Sequence, residues 1–393
     1  MITSGPGLET VVLTARRSPW KALLLTLPMA FLLALMMTQG KLPDTLAARV
    51  ALILTYSLFS VMFFLIIWSG KTYKYRAILF TIIAVCFCFS FIANLIEIRG
   101  SMALTRADML AGDTPFCHLV IPAVIIPAAL TKTIIFPGSM LGGFANIASM
   151  LVLWAGASLV LGRGWCSWAC FFGGFDEGFS RLRKKALIKK IDQKWVYLPW
   201  AVLLAVVLLS AATLSPFYCE WLCPFKAVTE FEQVTSFKIL VQTVIFISLF
   251  IGLVVILPVL TRKRIQCGLF CPFAAFQSLT NKINIFDIRV DTEKCKSCGI
   301  CIKECPTFSL DGRSVGEGRT LMSCVKCGKC VDDCPRGAVT YHIKGTRVNT
   351  GSDTARVLFA YPAYLFMSAI GGSMIVSTLV YLINYSTTGR LYG

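Results

Sequence analysis

Long apolar runs separated by short basic loops make up most of this chain. Seven of these runs are close to the ~20 residues that a helix needs to cross the hydrocarbon core of a bilayer. They lie at 21–38, 49–69, 77–97, 143–162, 196–214, 239–260 and 356–383. The pattern therefore predicts a polytopic α-helical membrane protein with about seven spans.

An eighth apolar run, 117–137, is interrupted by three prolines and contains Lys132. Basic loops beside residues 17, 74, 185 and 263 can all face the cytoplasm only if this run does not cross completely, because positively charged loops stay on that side. We therefore predict a re-entrant segment on the outer face, enclosed by protein, since lipid cannot satisfy open backbone groups. In this topology the N-terminus is inside and the C-terminus outside.

A polar segment separates the last two predicted spans. Residues 285–350 contain no long apolar run, yet they hold eight of the 17 cysteines. We expect a small α+β domain inserted between the spans on the cytoplasmic side. The predicted divisions are an N-terminal membrane region, a membrane core, the inserted domain and a C-terminal helix, at 1–140, 141–284, 285–350 and 351–393.

Composition narrows the possible functions. Only 15% of the residues are charged and 56% are apolar, whereas a soluble domain has about 25% charged residues. The net charge of +18 is concentrated in short loops, where it orients a membrane protein, so it does not indicate nucleic-acid binding. His118 and His342 are the two histidines, which excludes a haem held by paired histidines within the spans.

Two cysteine runs in the polar segment share the spacing Cys-x-x-Cys-x-x-Cys-x-x-x-Cys-Pro. In this bacterial two-cluster pattern, three thiolates of a run hold one [4Fe–4S] cluster and the fourth ligates the other. The alternative, a pair of zinc sites, would favour four local ligands in paired Cys-x-x-Cys groups. We therefore predict a first ferredoxin site (Cys295, Cys298, Cys301, Cys334) and a second ferredoxin site (Cys305, Cys324, Cys327, Cys330).

Three further pairs, Cys166/Cys170, Cys219/Cys223 and Cys267/Cys271, have the spacing Cys-x-x-x-Cys at the ends of predicted spans. Residues i and i+4 are neighbours on a helix, so two pairs can form a four-thiolate site. The first and last pairs follow spans that end in the cytoplasm, and we expect them to hold a third iron–sulfur cluster at the inner face. We name this set of four the membrane site.

The pair Cys219/Cys223, which we call the third pair, follows a span that ends outside. Cys117 and His118 are the nearest unassigned ligands on that face. We hypothesise a further iron–sulfur or other metal site there; the alternative is that Cys117 is a packed thiol and His118 an interfacial polar residue.

These motifs resemble those of a known family. Gly162-Arg163-Gly164-Trp165-Cys166, Cys223-Pro224-Phe225 and Cys271-Pro272-Phe273, followed by the two-cluster run, are similar to the membrane-bound 4Fe–4S proteins of the NapH, NosR and CcoG kind. The similarity covers roughly residues 150–345. It implies a multi-pass protein of the bacterial inner membrane that moves electrons between quinol or cytosolic donors and periplasmic reductases or their maturation systems. Phe171 stands where the family has proline.

The sequence thus predicts an electron-transfer subunit rather than a stand-alone catalyst, because no acid–base pocket is recognisable. Its partners would be membrane lipid, a cytosolic ferredoxin or flavodoxin or a quinol as donor, and a periplasmic redox enzyme or carrier, with the direction of flow open. An acidic donor would be attracted by lysines of the inserted domain, namely Lys294, Lys296, Lys303, Lys326 and Lys329. The alternative function is a copper-reducing or metalloenzyme-maturation factor of the CcoG kind.

Overall fold

The computed structural model describes residues 17–38, 40–97, 117, 121–133, 140, 146–189, 191–229, 234–346 and 353–389. Within these ranges seven helices are long and apolar enough to cross a membrane, as the sequence predicts, so the chain is a multi-pass membrane protein. These spans are Pro19–Thr38, Leu46–Ser69, Thr72–Phe89, Ile147–Trp168, Gln193–Thr213, Phe237–Thr261 and Thr354–Thr388.

The described residues are mostly helical and include one small sheet. Its α-helices are α1 Pro19–Thr38, α2 Leu46–Ser69, α3 Thr72–Glu97, α4 Ile121–Thr131, α5 Ile147–Leu161, α6 Trp165–Trp168, α7 Phe171–Ser180, α8 Leu198–Thr213, α9 Lys226–Thr229, α10 Phe237–Leu249, α11 Leu257–Thr261, α12 Pro272–Thr280, α13 Ile300–Glu304, α14 Gly312–Gly316, α15 Lys329–Asp332 and α16 Thr354–Thr388. Wider π-helical turns occupy Tyr218–Leu222, Phe250–Ile256 and Gln266–Phe270.

Helix α4 is the described part of the proline-interrupted run. It has 11 residues and is therefore about 16 Å long at 1.5 Å per residue, well short of the ~30 Å hydrocarbon core. Pro127 lies inside it. This length agrees with a segment that does not span, and the re-entrant path itself stays a prediction.

The inserted domain is built around a two-stranded antiparallel sheet, β1 (Phe286–Val290) and β2 (Val339–Ile343), in which Phe286 pairs with Ile343 and Val290 with Val339. Both cysteine runs lie between these strands.

An aromatic cluster joins the inserted domain to the spans. Phe359 of α16 is fully buried, and its ring lies 5.4 Å from that of Phe286, 5.0 Å from that of Tyr341 and 5.6 Å from that of Trp168. Buried aromatic pairs of this kind contribute about 0.5–1.5 kcal/mol each beyond their area. The domain is therefore packed onto the membrane helices through its sheet.

Helix α7 packs very closely against α3 because two consecutive glycines face its neighbours. A Cβ atom on Gly174 would lie 2.5 Å from the Phe80 carbonyl oxygen, and one on Gly173 would lie 2.4 Å from the Cys166 carbonyl oxygen. Both distances are too short for any side chain. The close approach positions Cys170, just before α7, and Glu177, near its end, in the interior.

Candidate iron–sulfur sites

The two cysteine runs of the inserted domain fold into loops with the same backbone conformation. Ser297 and Gly299 have φ of 50° and 71° in the first run, and Lys326 and Gly328 have φ of 49° and 87° in the second. Left-handed residues among right-handed ones turn successive amide groups toward one point, an arrangement that suits an anionic group. Each loop then starts a short helix, at Ile300 and at Lys329.

The first ferredoxin site surrounds an open cavity of about 340 Å³, whose lining includes all four cysteines that the spacing assigns to it. Cys298 is exposed, whereas Cys295, Cys301 and Cys334 are half-buried. Burial raises the pKa of the Cys301 thiol, with smaller contributions from the other three thiols, which are therefore its electrostatic neighbours. This site is accessible from water.

The second ferredoxin site surrounds a smaller and more enclosed cavity lined by Cys305, Cys324, Cys327 and Cys330. All four are buried, and burial raises the pKa of Cys327 to about 12. Since a buried thiol resists ionisation, metal binding is the chemistry that favours its thiolate. Both cavities bring together the sets that the spacing predicts, and their role as cluster ligands stays a prediction.

The membrane site also brings its four thiols together. Burial raises the pKa of Cys170, with added contributions from Cys166 and Cys271, and it raises the pKa of Cys271 to about 12, with an added contribution from Cys166. Burial likewise raises the pKa of Cys267, and Cys170 and Cys271 are among its neighbours. Within the described ranges, no three His, Cys, Asp or Glu side chains converge as closely as a single metal ion requires.

The three Cys-x-x-x-Cys pairs share one local structure. The first cysteine lies in a single helical turn, which is α-helical in the first pair and π-helical in the other two. The second is extended, with φ/ψ of −72°/100° at Cys170, −78°/108° at Cys223 and −65°/118° at Cys271. A helix or turn begins again at the next residue, which is proline in two pairs and Phe171 in the other. The missing proline therefore does not alter the turn, since Cys170 has the same extended conformation that a following proline would favour.

The donors around the membrane site fit an iron–sulfur cluster. Arg163 and Arg264 are both buried, and Arg264 Nη2 lies 2.7 Å from the Cys166 carbonyl oxygen and 3.4 Å from Cys267 Sγ. Among the described residues the Nε atoms of both arginines have no hydrogen-bond partner. Buried N–H groups without acceptors are rare in proteins, and the sulfurs of an anionic cluster would supply acceptors here.

Buried charges lie beside the membrane site. Glu177 accepts hydrogen bonds from Arg76 at 2.9 Å and from the Tyr73 hydroxyl at 2.7 Å, and its carboxylate is 3.7 Å from Arg264. Burial opposes the ionisation of Glu177, but Arg76 and Arg264 outweigh it and lower its pKa to about 2. Asp176 accepts the Cys267 backbone N–H at 2.8 Å, and burial raises its pKa to about 7.

Several contacts link the third pair to the membrane site, and its place on the outer face stays a prediction. The Phe217 N–H donates to Ser210 Oγ at 3.2 Å, so the chain turns back along the last turn of α8. This turn buries Tyr218, whose hydroxyl accepts a hydrogen bond from Gln266 at 3.3 Å. Burial raises the pKa of Tyr218, and the added contributions come from Cys271, Cys223 and Cys219.

Aromatic rings also connect the third pair to the membrane site, because Phe225, two residues after Cys223, stacks on Phe172, two residues after Cys170, with 4.1 Å between the ring centroids. Cys117 is buried, and its place as a ligand beside the third pair stays a prediction. His118 lies outside the described residues.

Hydrogen bonds connect the second ferredoxin site to the membrane site. The Trp168 indole donates to the Lys326 carbonyl oxygen at 3.1 Å, and the Asn281 side chain donates to the Cys324 carbonyl oxygen at 2.8 Å. Asn281 also accepts the Arg163 backbone N–H at 2.9 Å. Sequence analysis missed Trp168 and Asn281; only their closeness in sequence to Cys170 and to the inserted domain pointed to them.

The predicted docking surface for an acidic donor needs a correction. Lys326 is only 2% exposed, and burial lowers its pKa to about 8. Lys329 pairs with Glu304 at 2.6 Å and has 11% of its side chain exposed. Lys294, Lys296 and Lys303 are exposed. The sequence could not separate these groups, because all five lysines lie at similar positions around the two runs.

Two protein-family models match the parts of the chain that contain the cysteine pairs and runs. The model of the 4Fe-4S binding domain matches residues 143–190, 196–240 and 243–290, and each match contains one Cys-x-x-x-Cys pair. The model of the 4Fe-4S dicluster domain matches residues 287–335.

Three curated relatives are similar to part of the chain. The putative electron transport protein YccM of Escherichia coli is 27% identical over 40% of this chain and 45% of its own length. The methylamine utilization ferredoxin-type protein MauN of Methylobacillus flagellatus is 28% identical over 44% of this chain and 58% of its own length. The regulatory protein NosR of Stutzerimonas stutzeri is 28% identical over 40% of this chain and 22% of its own length. The chain thus spans about half the length of the first two relatives. No solved structure matches the chain.

Proposed function

Because the chain belongs to the NapH/NosR-like family of membrane-bound 4Fe–4S proteins, we propose that it relays single electrons through a series of cysteine-bound clusters. When bound, such clusters supply reversible one-electron chemistry at potentials that the surrounding protein sets. The chain's own residues would bind the clusters, exclude water from most of them and hold them close together.

The order of the sites is supported by their burial. The first ferredoxin site is open to water, the second is buried, and the membrane site lies beyond the second, across Trp168 and Asn281. The third pair follows across Tyr218. The single observation that carries the proposal is this unbroken succession of cysteine sites, from an exposed surface into the membrane helices.

The partners follow from the two ends of the succession. We assign the inserted domain to the cytoplasm, where an acidic one-electron carrier such as ferredoxin or flavodoxin would dock beside Lys294, Lys296 and Lys303. A periplasmic redox enzyme or carrier would exchange electrons beyond the third pair. With a quinol as donor the same path would operate in the other direction.

Electron delivery to the full chain in lipid nanodiscs tests the proposal. Under anaerobic conditions, flavodoxin hydroquinone should reduce the ferredoxin sites first and the membrane site next, as followed by freeze-quench electron paramagnetic resonance (EPR). The variant Cys271→Ser should stop electrons within the inserted domain. The control Cys86→Ser, a substitution near the middle of α3, should behave as the wild type. Reduction beyond the inserted domain in Cys271→Ser, at the wild-type rate, would refute the relay.

A further inference from the structure

Buried positive charge is concentrated between the second ferredoxin site and the membrane site. Arg76, Arg163 and Arg264 are 0–3% exposed, and the buried acids beside them are Glu177 and Asp176. Glu177 pairs with Arg76 and lies 3.7 Å from Arg264, and Asp176 accepts the Cys267 backbone N–H, so three guanidinium groups face two carboxyl groups. Buried charge is very costly unless it faces opposite charge. Anionic clusters bound to the neighbouring thiolates would supply that opposite charge.

Three of these side chains form a continuous path of contacts. Arg264 Nη2 lies 3.4 Å from Cys267 Sγ, and Arg264 Nη1 lies 3.7 Å from Glu177. Glu177 pairs with Arg76 at 2.9 Å, and the side chains of all three are fully buried.

The path ends at the second ferredoxin site. The Arg76 guanidinium carbon lies 5.9 Å from the centroid of the Trp168 ring, and the Trp168 indole donates to the carbonyl oxygen of Lys326, the residue before Cys327. The path therefore runs from Cys267, a predicted ligand of the membrane site, to the loop that carries the predicted ligand Cys327.

Ser167 holds both guanidinium groups in place. Arg76 Nη1 donates to the Ser167 carbonyl oxygen at 2.7 Å, and Arg264 Nη1 donates to Ser167 Oγ at the same distance. Ser167 immediately follows Cys166, and Gly173 leaves the space that Arg264 Nη2 occupies. The two charges are thus fixed relative to the cysteines and to each other.

Fixed charge near an iron–sulfur site sets its potential, because reduction adds a negative charge that a nearby cation stabilises. Arg264 acts most strongly on the membrane site and Arg76 on the second ferredoxin site. Glu177 lies between them and lowers both potentials by its negative charge.

We propose that Arg264, Glu177 and Arg76 act as one electrostatic bridge that keeps the potentials of the second ferredoxin site and the membrane site high and close together. The inference rests on the proposed function. With both clusters bound, one electron would pass between the site held by Cys327 and the site held by Cys267, with no proton transferred and no bond broken. The bridge residues are positioning residues for this exchange.

EPR-monitored redox titration of the full chain in nanodiscs tests the bridge. Arg264→Gln should shift the equilibrium of electron sharing at least tenfold toward the second ferredoxin site, which for one electron corresponds to about 59 mV. Arg76→Gln should shift it by a similar factor in the opposite direction. Arg264→Lys, which keeps the charge, should restore most of the wild-type balance, and the exposed Arg289→Gln should change nothing.

The outcomes separate the bridge from the relay. A wild-type protein without a membrane-site signal would refute the proposed function itself. A wild-type signal whose potential is unchanged in Arg264→Gln, at full iron content, would refute only the bridge. If Arg264→Gln fails to assemble, Glu177→Gln serves instead: both potentials should rise together, and unchanged potentials would overturn the proposal.

Discussion

The two ferredoxin sites have the same cysteine spacing and the same left-handed loop residues, yet their surroundings differ. The first is open to water, with Cys298 exposed and a cavity of about 340 Å³. The second is buried against the membrane helices, with the Tyr73 N–H donating to Asp332 and the Trp168 indole donating to Lys326. The motif thus determines which cysteines come together, whereas the packing determines which site is exposed to water and which lies against the membrane helices.

Exposure to oxygen should separate the two sites most strongly. The EPR signal of the first site should decay about tenfold faster than that of the second, because solvent access governs attack on clusters and thiolates. Timed sampling of air-exposed protein, followed by anaerobic reduction, measures both rates. Equal decay rates would contradict the difference in burial.

Matched alanine substitutions should show the same asymmetry in stability. Both Gly299 and Gly328 have positive φ, so both substitutions are strained, but only a Cβ on Gly328 would meet a neighbour, the Tyr341 hydroxyl at 2.8 Å. Overpacking of this kind costs about 1–3 kcal/mol. Thermal unfolding in detergent should therefore show a larger loss for Gly328→Ala than for Gly299→Ala, and equal losses would argue against the packing of the second site.

The hydrogen bond from Trp168 should matter for transfer out of the second site. Trp168→Phe removes the indole donor to the Lys326 carbonyl oxygen, and Tyr341→Phe removes the other donor to the same atom, at 3.1 Å. Each loss should cost about 1 kcal/mol of stability. Only Trp168→Phe should slow reduction of the membrane site, by several-fold, in freeze-quench experiments; an equal slowing in Tyr341→Phe would exclude a specific role for Trp168.

Surface charge at the first site should have the smallest effect. Lys296→Glu should slow electron uptake from an acidic carrier by a few-fold at low ionic strength, with the difference vanishing at high salt, because exposed charges are screened. Arg289→Glu, on the sheet, is the matched control. Stopped-flow rates at several salt concentrations measure the effect, and a salt-independent difference would point to a structural cause.

Sequence patterns could predict the spans and the cysteine sets because both depend on local spacing. Within the described residues, seven helices of span length lie on the seven apolar runs, and the cavities collect the same two groups of four cysteines. Contacts between distant segments could not be predicted. The burial of Lys326, the return of Tyr218 into the interior and the bond from Trp168 to Lys326 depend on how the inserted domain and the turns pack onto the spans.

We expect the membrane site to bind a cluster of its own in series with the two ferredoxin sites. Iron and acid-labile sulfide, quantified per chain in anaerobically purified protein, test it most directly. At four irons per cluster, the account predicts about twelve iron atoms or more in the wild type and about four fewer in Cys271→Ser. About eight iron atoms in both proteins would contradict it.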